Sequence, residues 1–194
     1  VPYVLAVGQQ ASRRGPDRVA GVLQRLADGV PTVLPFERTA GDEFQGVLAD
    51  PAVVVDVVLR LVREGGWSIG VGAGPLQTPL PGSRAGAGPA LLCARRAVDA
   101  AGQRSVRLAV RGAVPPDAGD AQAVLSALAV VVQRRSAQAW EAIELVRAGR
   151  TQAAAAAALG VSRQAVGQRL AAGLWELERE LRPTAARLLA RAAG

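Results

Sequence analysis

The chain predicts an α+β fold in two parts: a βαββαβ layer over residues 1–114 and an all-α region over residues 117–194. Three observations carry this. Short apolar runs alternate with amphipathic helical stripes through the first half. A block at Gly112-Ala113-Val114-Pro115-Pro116 reads as a linker. Beyond it no strand pattern remains, and helical periodicity runs on.

Tyr3 to Gly8 is an apolar run closed by Gly, a buried first strand. Pro16-Asp17 opens a helix in which Val19, Val22, Leu23 and Leu26 form one stripe, and Gly29 stops it. Pro31 to Arg38 and Glu43 to Leu48 are two strands of a hairpin around Ala40-Gly41-Asp42. Pro51 starts a helix to Arg63, and Gly65-Gly66 ends it. Trp67 to Val71 alternates as a strand. This order is the split-βαβ arrangement of a ferredoxin-like sandwich. A Gly- and Pro-rich loop over Gly72 to Pro89, a helix from Ala90 to Ala101 and a strand from Ser105 to Val110 follow. Five helices then cover Ala121–Val132, Ser136–Arg147, Thr151–Leu159, Ser162–Leu181 and Thr184–Ala193.

Composition narrows the chemistry. The 194 residues include 23 basic and 16 acidic side chains, for a formal charge of +7. Every basic residue is Arg, because the chain has no Lys and no His. That excludes a Ser-His-Asp triad, His-ligated zinc, a Schiff-base lysine and a Walker-A lysine. One cysteine, Cys93, rules out an internal disulfide and argues for a reducing compartment. It lies in an apolar helical stretch and is expected in the core, as are Trp140 and Trp175 at their helical spacings. No apolar run approaches the ~20 residues that span a bilayer. YVLAV at the start lacks the basic flank of a signal peptide, so a soluble cytoplasmic protein with no membrane partner is expected.

Thr151 to Leu170, TQAAAAAALGVSRQAVGQRL, carries the grammar of a helix-turn-helix. Small residues Ala155 and Ala156 stand where two helices cross, Gly160 sits in the turn, and Ser162 caps the second helix. Val166 and Leu170 face inward. The outer face presents Arg163, Gln164, Gln168 and Arg169, side chains suited to base edges and phosphates, with Arg147 and Arg150 placed to touch phosphates. Eight arginines against three acids from Leu145 onward give the positive footprint of a phosphate-binding region. The segment resembles the helix-turn-helix of sigma-factor region four and of small winged regulators. It implies double-stranded DNA as partner, read by a homodimer. The plainer alternative is a helical bundle with a solvated arginine face.

In the first half, Ala40-Gly41-Asp42-Glu43-Phe44 differs by one residue from the signature of GGDEF diguanylate cyclases. Trp67 to Gly74 and Ala90 to Val106 resemble the strand, helix and strand that follow in that fold. Gly8, Ser12-Arg13, Gly41 to Gln45, Ser68 to Gly74 and Gly88-Pro89 to Ala97 are more similar to the SatD family of small bacterial proteins. That resemblance implies a palm-like domain and a C-terminal helix-turn-helix-like region.

Such a palm holds divalent cations against a nucleoside triphosphate between two carboxylates on neighbouring strands. Asp42 is the hairpin carboxylate and the candidate metal ligand, with Glu43 beside it. The partner position after Gly8 holds Gln9, and a neutral amide offers no charge to offset a hard cation. The site therefore reads as degenerate. It could still take a nucleotide, with or without Mg²⁺, through Gln9, Arg13, Arg14, Asp42, Glu43, Arg95 and Arg96. The expectation is a DNA-binding transcriptional regulator with a degenerate cyclase-like sensor or dimerisation domain and no catalytic residue. The alternative is a metal-dependent nucleotidyl cyclase or transferase acting on nucleoside triphosphates.

Overall fold

In the computed structural model, residues 1–10, 15–77 and 88–194 are described. The strands are β1 (Tyr3–Gln9), β2 (Leu34–Ala40), β3 (Glu43–Leu48), β4 (Trp67–Ala73) and β5 (Leu108–Gly112). Between them lie α1 (Val19–Ala27), α2 (Pro51–Glu64) and α3 (Pro89–Ala101). After β5 come α4 (Pro115–Gln133), α5 (Ala137–Arg147), α6 (Gln152–Leu159), α7 (Arg163–Ala172) and α8 (Trp175–Ala192). The fold is α+β, as expected, with one five-stranded mixed sheet in the order β2-β3-β1-β4-β5. The pairs β2–β3, β3–β1 and β1–β4 are antiparallel, and β4–β5 is parallel.

Strand alternation sorts the two faces. Tyr3, Leu5 and Val7 of β1 join Phe44, Ile69, Val71 and Leu108 in a large core under α1, α2, α4 and α8. Val4, Ala6 and Val47 point the other way and pack beneath α3. The helix lies close on β4 because Gly70 and Gly72 leave room. A Cβ at Gly70 would run into the Val98 backbone, and one at Gly72 into Ala90 and Ala94. These glycines of WSIGVGAG therefore serve packing.

Several expectations change. The final strand is Leu108–Gly112 rather than Ser105–Val110. Pro115-Pro116 opens α4 instead of a free linker, because Pro fits a first helical turn where no N–H partner is needed. Ala121, Leu125, Leu128 and Val132 of α4, with Leu189 and Ala192 of α8, belong to the same core as the sheet. The 1–114/117–194 division thus runs through shared packing. A second, smaller core of Ala139, Ala142, Ile143, Ala155, Ala156, Val166 and Leu170 holds α5, α6 and α7 together. Trp140 packs against both cores, and Trp175 against the smaller.

The long helix expected over Ser162–Leu181 is broken at Gly173-Leu174, and no new helix starts at Thr184. A Cβ at Gly173 would sit 2.8 Å from Ile143 Cδ1 and 3.1 Å from Ala139 Cβ, so a larger residue there would push the facing α5 side chains aside. The chain then turns through Leu174, at φ 52 and ψ 41. Pro183 lies inside α8, where it costs one backbone hydrogen bond without ending the helix. The Thr184 hydroxyl donates to the Glu180 carbonyl at 3.3 Å, one turn back. Among the described residues, no helix is long and apolar enough to cross a membrane.

Candidate functional site

The hairpin end and the C-terminal edge of β1 do meet. The Gln9 amide donates to the Asp42 carbonyl at 2.9 Å, and Gly8 stands opposite Glu43 in the ladder. Glu43 rises on the α3 side of the sheet, where Arg95 Nη1 lies 2.7 Å from its Oε2. Gln9 is the next residue along β1, so its side chain takes the opposite face. There it is 8% exposed. Its Nε2 donates to the Pro16 carbonyl at 2.7 Å, and its Oε1 accepts from the Arg18 amide at 2.9 Å. Gln9 thus closes the backbone at the start of α1. Gln10 is spent similarly, its Nε2 donating to the Trp67 carbonyl at 2.7 Å.

Arg38 braces the hairpin. It donates to the Gly41 carbonyl and reaches Asp17 Oδ2 at 2.6 Å. The hydrogen bond from Arg38, helped by the Val19 amide, holds the Asp17 carboxyl below its ordinary value. Arg96 is exposed on α3, while Arg13 and Arg14 lie outside the described residues. Cys93 is half-buried rather than in the core. Asp42, the candidate ligand, is half-buried at the turn and has an interaction of its own. The neighbouring Glu43 carboxylate is shared with a guanidinium, and the expected second carboxylate position is an amide fixed on the other face. Among the described residues, no group of three His, Cys, Asp or Glu side chains converges.

The second candidate lies on α6 and α7. Thr151 Oγ1 accepts from the Ala154 amide at 3.1 Å and caps α6. Gly160, at φ 66 and ψ 31, ends α6 in the left-handed region that glycine enters freely. Ser162 Oγ accepts from the Ala165 amide at 3.0 Å and caps α7, as expected. Val166 and Leu170 are buried against α5 and α6. This leaves Arg163, Gln164 and Gln168 exposed on the outer face of α7, with Arg150 exposed just before α6. None of these four side chains has a partner among the described residues. No acid occurs from Ala148 to Leu174.

Two of the arginines singled out with them are engaged within the chain. Arg169 Nη1 is 3.1 Å from Glu141 Oε2 and ties α7 to α5. Arg147 Nη2 is 2.8 Å from Glu178 Oε1, and its guanidinium lies 5.1 Å from the centre of the Trp175 ring. Burial lowers the Arg147 pKa, against the opposing pull of Glu178.

Glu178 is the centre of a cluster that sequence reasoning missed. It is fully buried. Arg182 Nε donates to its Oε1 at 2.7 Å, and Arg135 Nη1 lies 2.5 Å from its Oε2 as an ion pair outside hydrogen-bond alignment. Arg135 has 1% of its side chain exposed, donates through Nε to the Gly173 carbonyl at 2.7 Å, and lies 4.8 Å from the Trp140 ring centre. Arg182 continues to Asp56 of α2 at 3.3 Å. The cluster joins α2, α5, α8, the α4–α5 turn and the end of α7. Burial pushes the Glu178 carboxyl up, but Arg182 and Arg135 more than offset it, so it titrates below the usual carboxylate range. The available signal was an acid on an apolar stripe: Glu178 precedes Leu181, Ala185, Leu189 and Ala192 at core spacing. Set against protein-family models, curated proteins and solved structures, the chain finds no match.

Proposed function

We propose that this chain is a transcription regulator that binds double-stranded DNA as a homodimer in the cytoplasm. In this reading α6, Gly160 and α7 form a helix-turn-helix, with α7 as the recognition helix. The sheet, in which β2-β3-β1-β4 follow the ferredoxin-like order, is a degenerate palm of the SatD or GGDEF kind that serves as body or sensor. The observation that carries the proposal is the outer face of α7. Arg163, Gln164 and Gln168 are exposed and unpartnered, in a segment without acids. Arg suits the paired acceptors of guanine and Gln the donor–acceptor pair of adenine, and a capped helix N-terminus favours phosphate. Arg150 adds a phosphate contact, and Ser162 holds the start of α7. Arg147 and Arg169 act by orienting α5 and α7.

The nucleotidyl-transfer alternative requires Asp42 and Glu43 to hold metal. The Glu43–Arg95 pair and the inward-turned Gln9 favour binding over turnover. The test is fluorescence anisotropy against the DNA upstream of the protein's own gene. Arg163→Ala with Gln164→Ala should lose the preference for that site, by about 1–3 kcal/mol per base contact. Arg150→Ala should weaken all sequences alike and lower the salt slope by about one. Unchanged preference in the double variant would remove α7 as the reading helix.

A further inference from the structure

The smaller core of α5, α6 and α7 shares no buried side chain with the large core of the body. Two half-buried tryptophans lie between them: Trp140 packs on both cores, and Trp175, on α8, packs on the smaller. Arg147 stands by both rings, 5.9 Å from the first centre and 5.1 Å from the second. Ion pairs cross the same boundary. Arg147 reaches Glu178 of α8, and Arg63 of α2 reaches Glu144 of α5 at 2.6 Å while lying 3.8 Å from the Trp140 ring centre. A boundary so rich in charge permits the two sides to move against each other.

Charges are matched there, but hydrogen bonds are not. Arg135 Nη1 and Nη2, Glu178 Oε2 and Trp175 Nε1 are buried without an aligned hydrogen-bond partner among the described residues. Parting the two sides returns these groups to water and leaves both apolar cores intact, which offsets part of the lost ion pairing. Two chain crossings join the sides, residues Arg134–Ser136 between α4 and α5 and Gly173-Leu174 between α7 and α8. They are neighbours, since Arg135 Nε donates to the Gly173 carbonyl at 2.7 Å. Two short adjacent crossings define a single axis. On it sits Leu174, the single non-glycine residue with positive φ among the described residues. Left-handed backbone is unfavourable for leucine, and Leu174 recovers little by packing because it is 47% exposed.

We propose that α5, α6 and α7 form one head that swings on the body about this axis, with the Glu178 cluster as its catch. The ion pairs to Glu178 and the two tryptophans hold the closed arrangement. The backbone strain at Leu174 and the unmet hydrogen bonds oppose it. The swung arrangement is a minor state of the free chain, reached when Leu174 leaves the left-handed region. Because α7 rides on the head, the swing turns Arg163, Gln164 and Gln168 relative to the sheet.

The inference deepens the DNA-binding reading by giving the reading helix a joint, yet its test needs no DNA, so the two can fail separately. Single-molecule energy transfer on the full chain reads the swing. Labels go on Ala158→Cys of α6 and Asp99→Cys of α3, with Cys93→Ala removing the native thiol. Glu178→Gln takes the counter-charge from Arg135 and Arg147 and should raise the population at a second distance at least fivefold. Adding Leu174→Asn to that variant should cut the same population at least twofold, because asparagine accepts left-handed backbone and the closed arrangement sheds its strain. Hydrogen exchange should show the amides of α5, α6 and α7 still protected in Glu178→Gln, as expected of a head that moves without unfolding. One unchanged distance in Glu178→Gln overturns the inference. So does a second population that Leu174→Asn leaves alone or enlarges. Loss of protection across α5, α6 and α7 in Glu178→Gln overturns it too, because the cluster would then be part of the head's own fold rather than its catch.

Discussion

The hairpin end and the outer face of α7 carry the same kinds of polar side chain and use them in opposite ways. At the hairpin, Arg95 is paired with Glu43, Arg38 with Asp17, and Gln9 with two backbone groups. On α7, Arg163, Gln164 and Gln168 have no partner among the described residues. A polar group satisfied internally has little left for a ligand. One held exposed by a rigid, capped helix is ready to exchange water for a base or phosphate without prior rearrangement. The difference teaches that Gln9, Arg38, Glu43 and Arg95 are held by partners in the body, while the polar side chains left open sit on the second core.

The contrast can be broken most sharply at the junction, where internal pairing is most complete. Glu178→Ala leaves Arg135 buried without its counter-charge, and should cost about 3–5 kcal/mol of stability in urea unfolding. Acid should show the same dependence. The Glu178 carboxyl is lowered in the folded chain, so its contribution is fully present above the unfolded value of about 4.3. It is lost progressively as pH falls below that value. Wild type should therefore lose stability more steeply than Glu178→Gln as pH falls below that value. Equal slopes would show that the cluster holds no ionised glutamate.

How much of this was legible in the sequence depended on where the deciding contacts lie. The β3 bounds, the start of α2, the Gly160 turn and the Ser162 cap follow from local grammar and match the structure. Pro115-Pro116 was ambiguous, because the same pair suits a linker or a first helical turn. The break at Gly173-Leu174 lies against Ile143 and Ala139, some thirty residues away, and leucine at positive φ has no sequence signature. At the candidate site, the absence of a carboxylate at position 9 could be read directly. That Gln9 faces α1 rather than Glu43 could not, since it follows from the β1 register against β3 and β4. Glu178 was visible as an oddity on an apolar stripe, but its three arginines come from scattered positions.

A middle-sized effect should come from giving the hairpin back its missing charge. Gln9→Asp removes the donor to the Pro16 carbonyl and buries a carboxylate, and should cost about 1–3 kcal/mol. It should not create a metal site, because the new carboxylate would face the start of α1 rather than Glu43. Millimolar Mg²⁺ should leave the thermal midpoint of the variant unchanged. A midpoint raised by Mg²⁺ in Gln9→Asp but not in wild type would mean that one substitution restores a cation site.

The smallest effect separates the two regions residue for residue. Arg95 and Arg163 are both exposed arginines on helices, and of the two only Arg95 has an acidic partner among the described residues. Its side chain is 59% exposed, so solvent screens the pair and Arg95→Ala should lose only about 0.2–1 kcal/mol. That loss should shrink further in high salt. DNA affinity should stay where it was, because Arg95 belongs to the body and its charge is already balanced. Arg163→Ala should do the reverse, with stability within about 0.5 kcal/mol of wild type and a clear loss of DNA preference. If Arg95→Ala weakens DNA binding as much as Arg163→Ala, the α3 edge is part of the nucleic-acid surface. The distinction between spent and unspent arginines would then no longer predict which of them meets the partner.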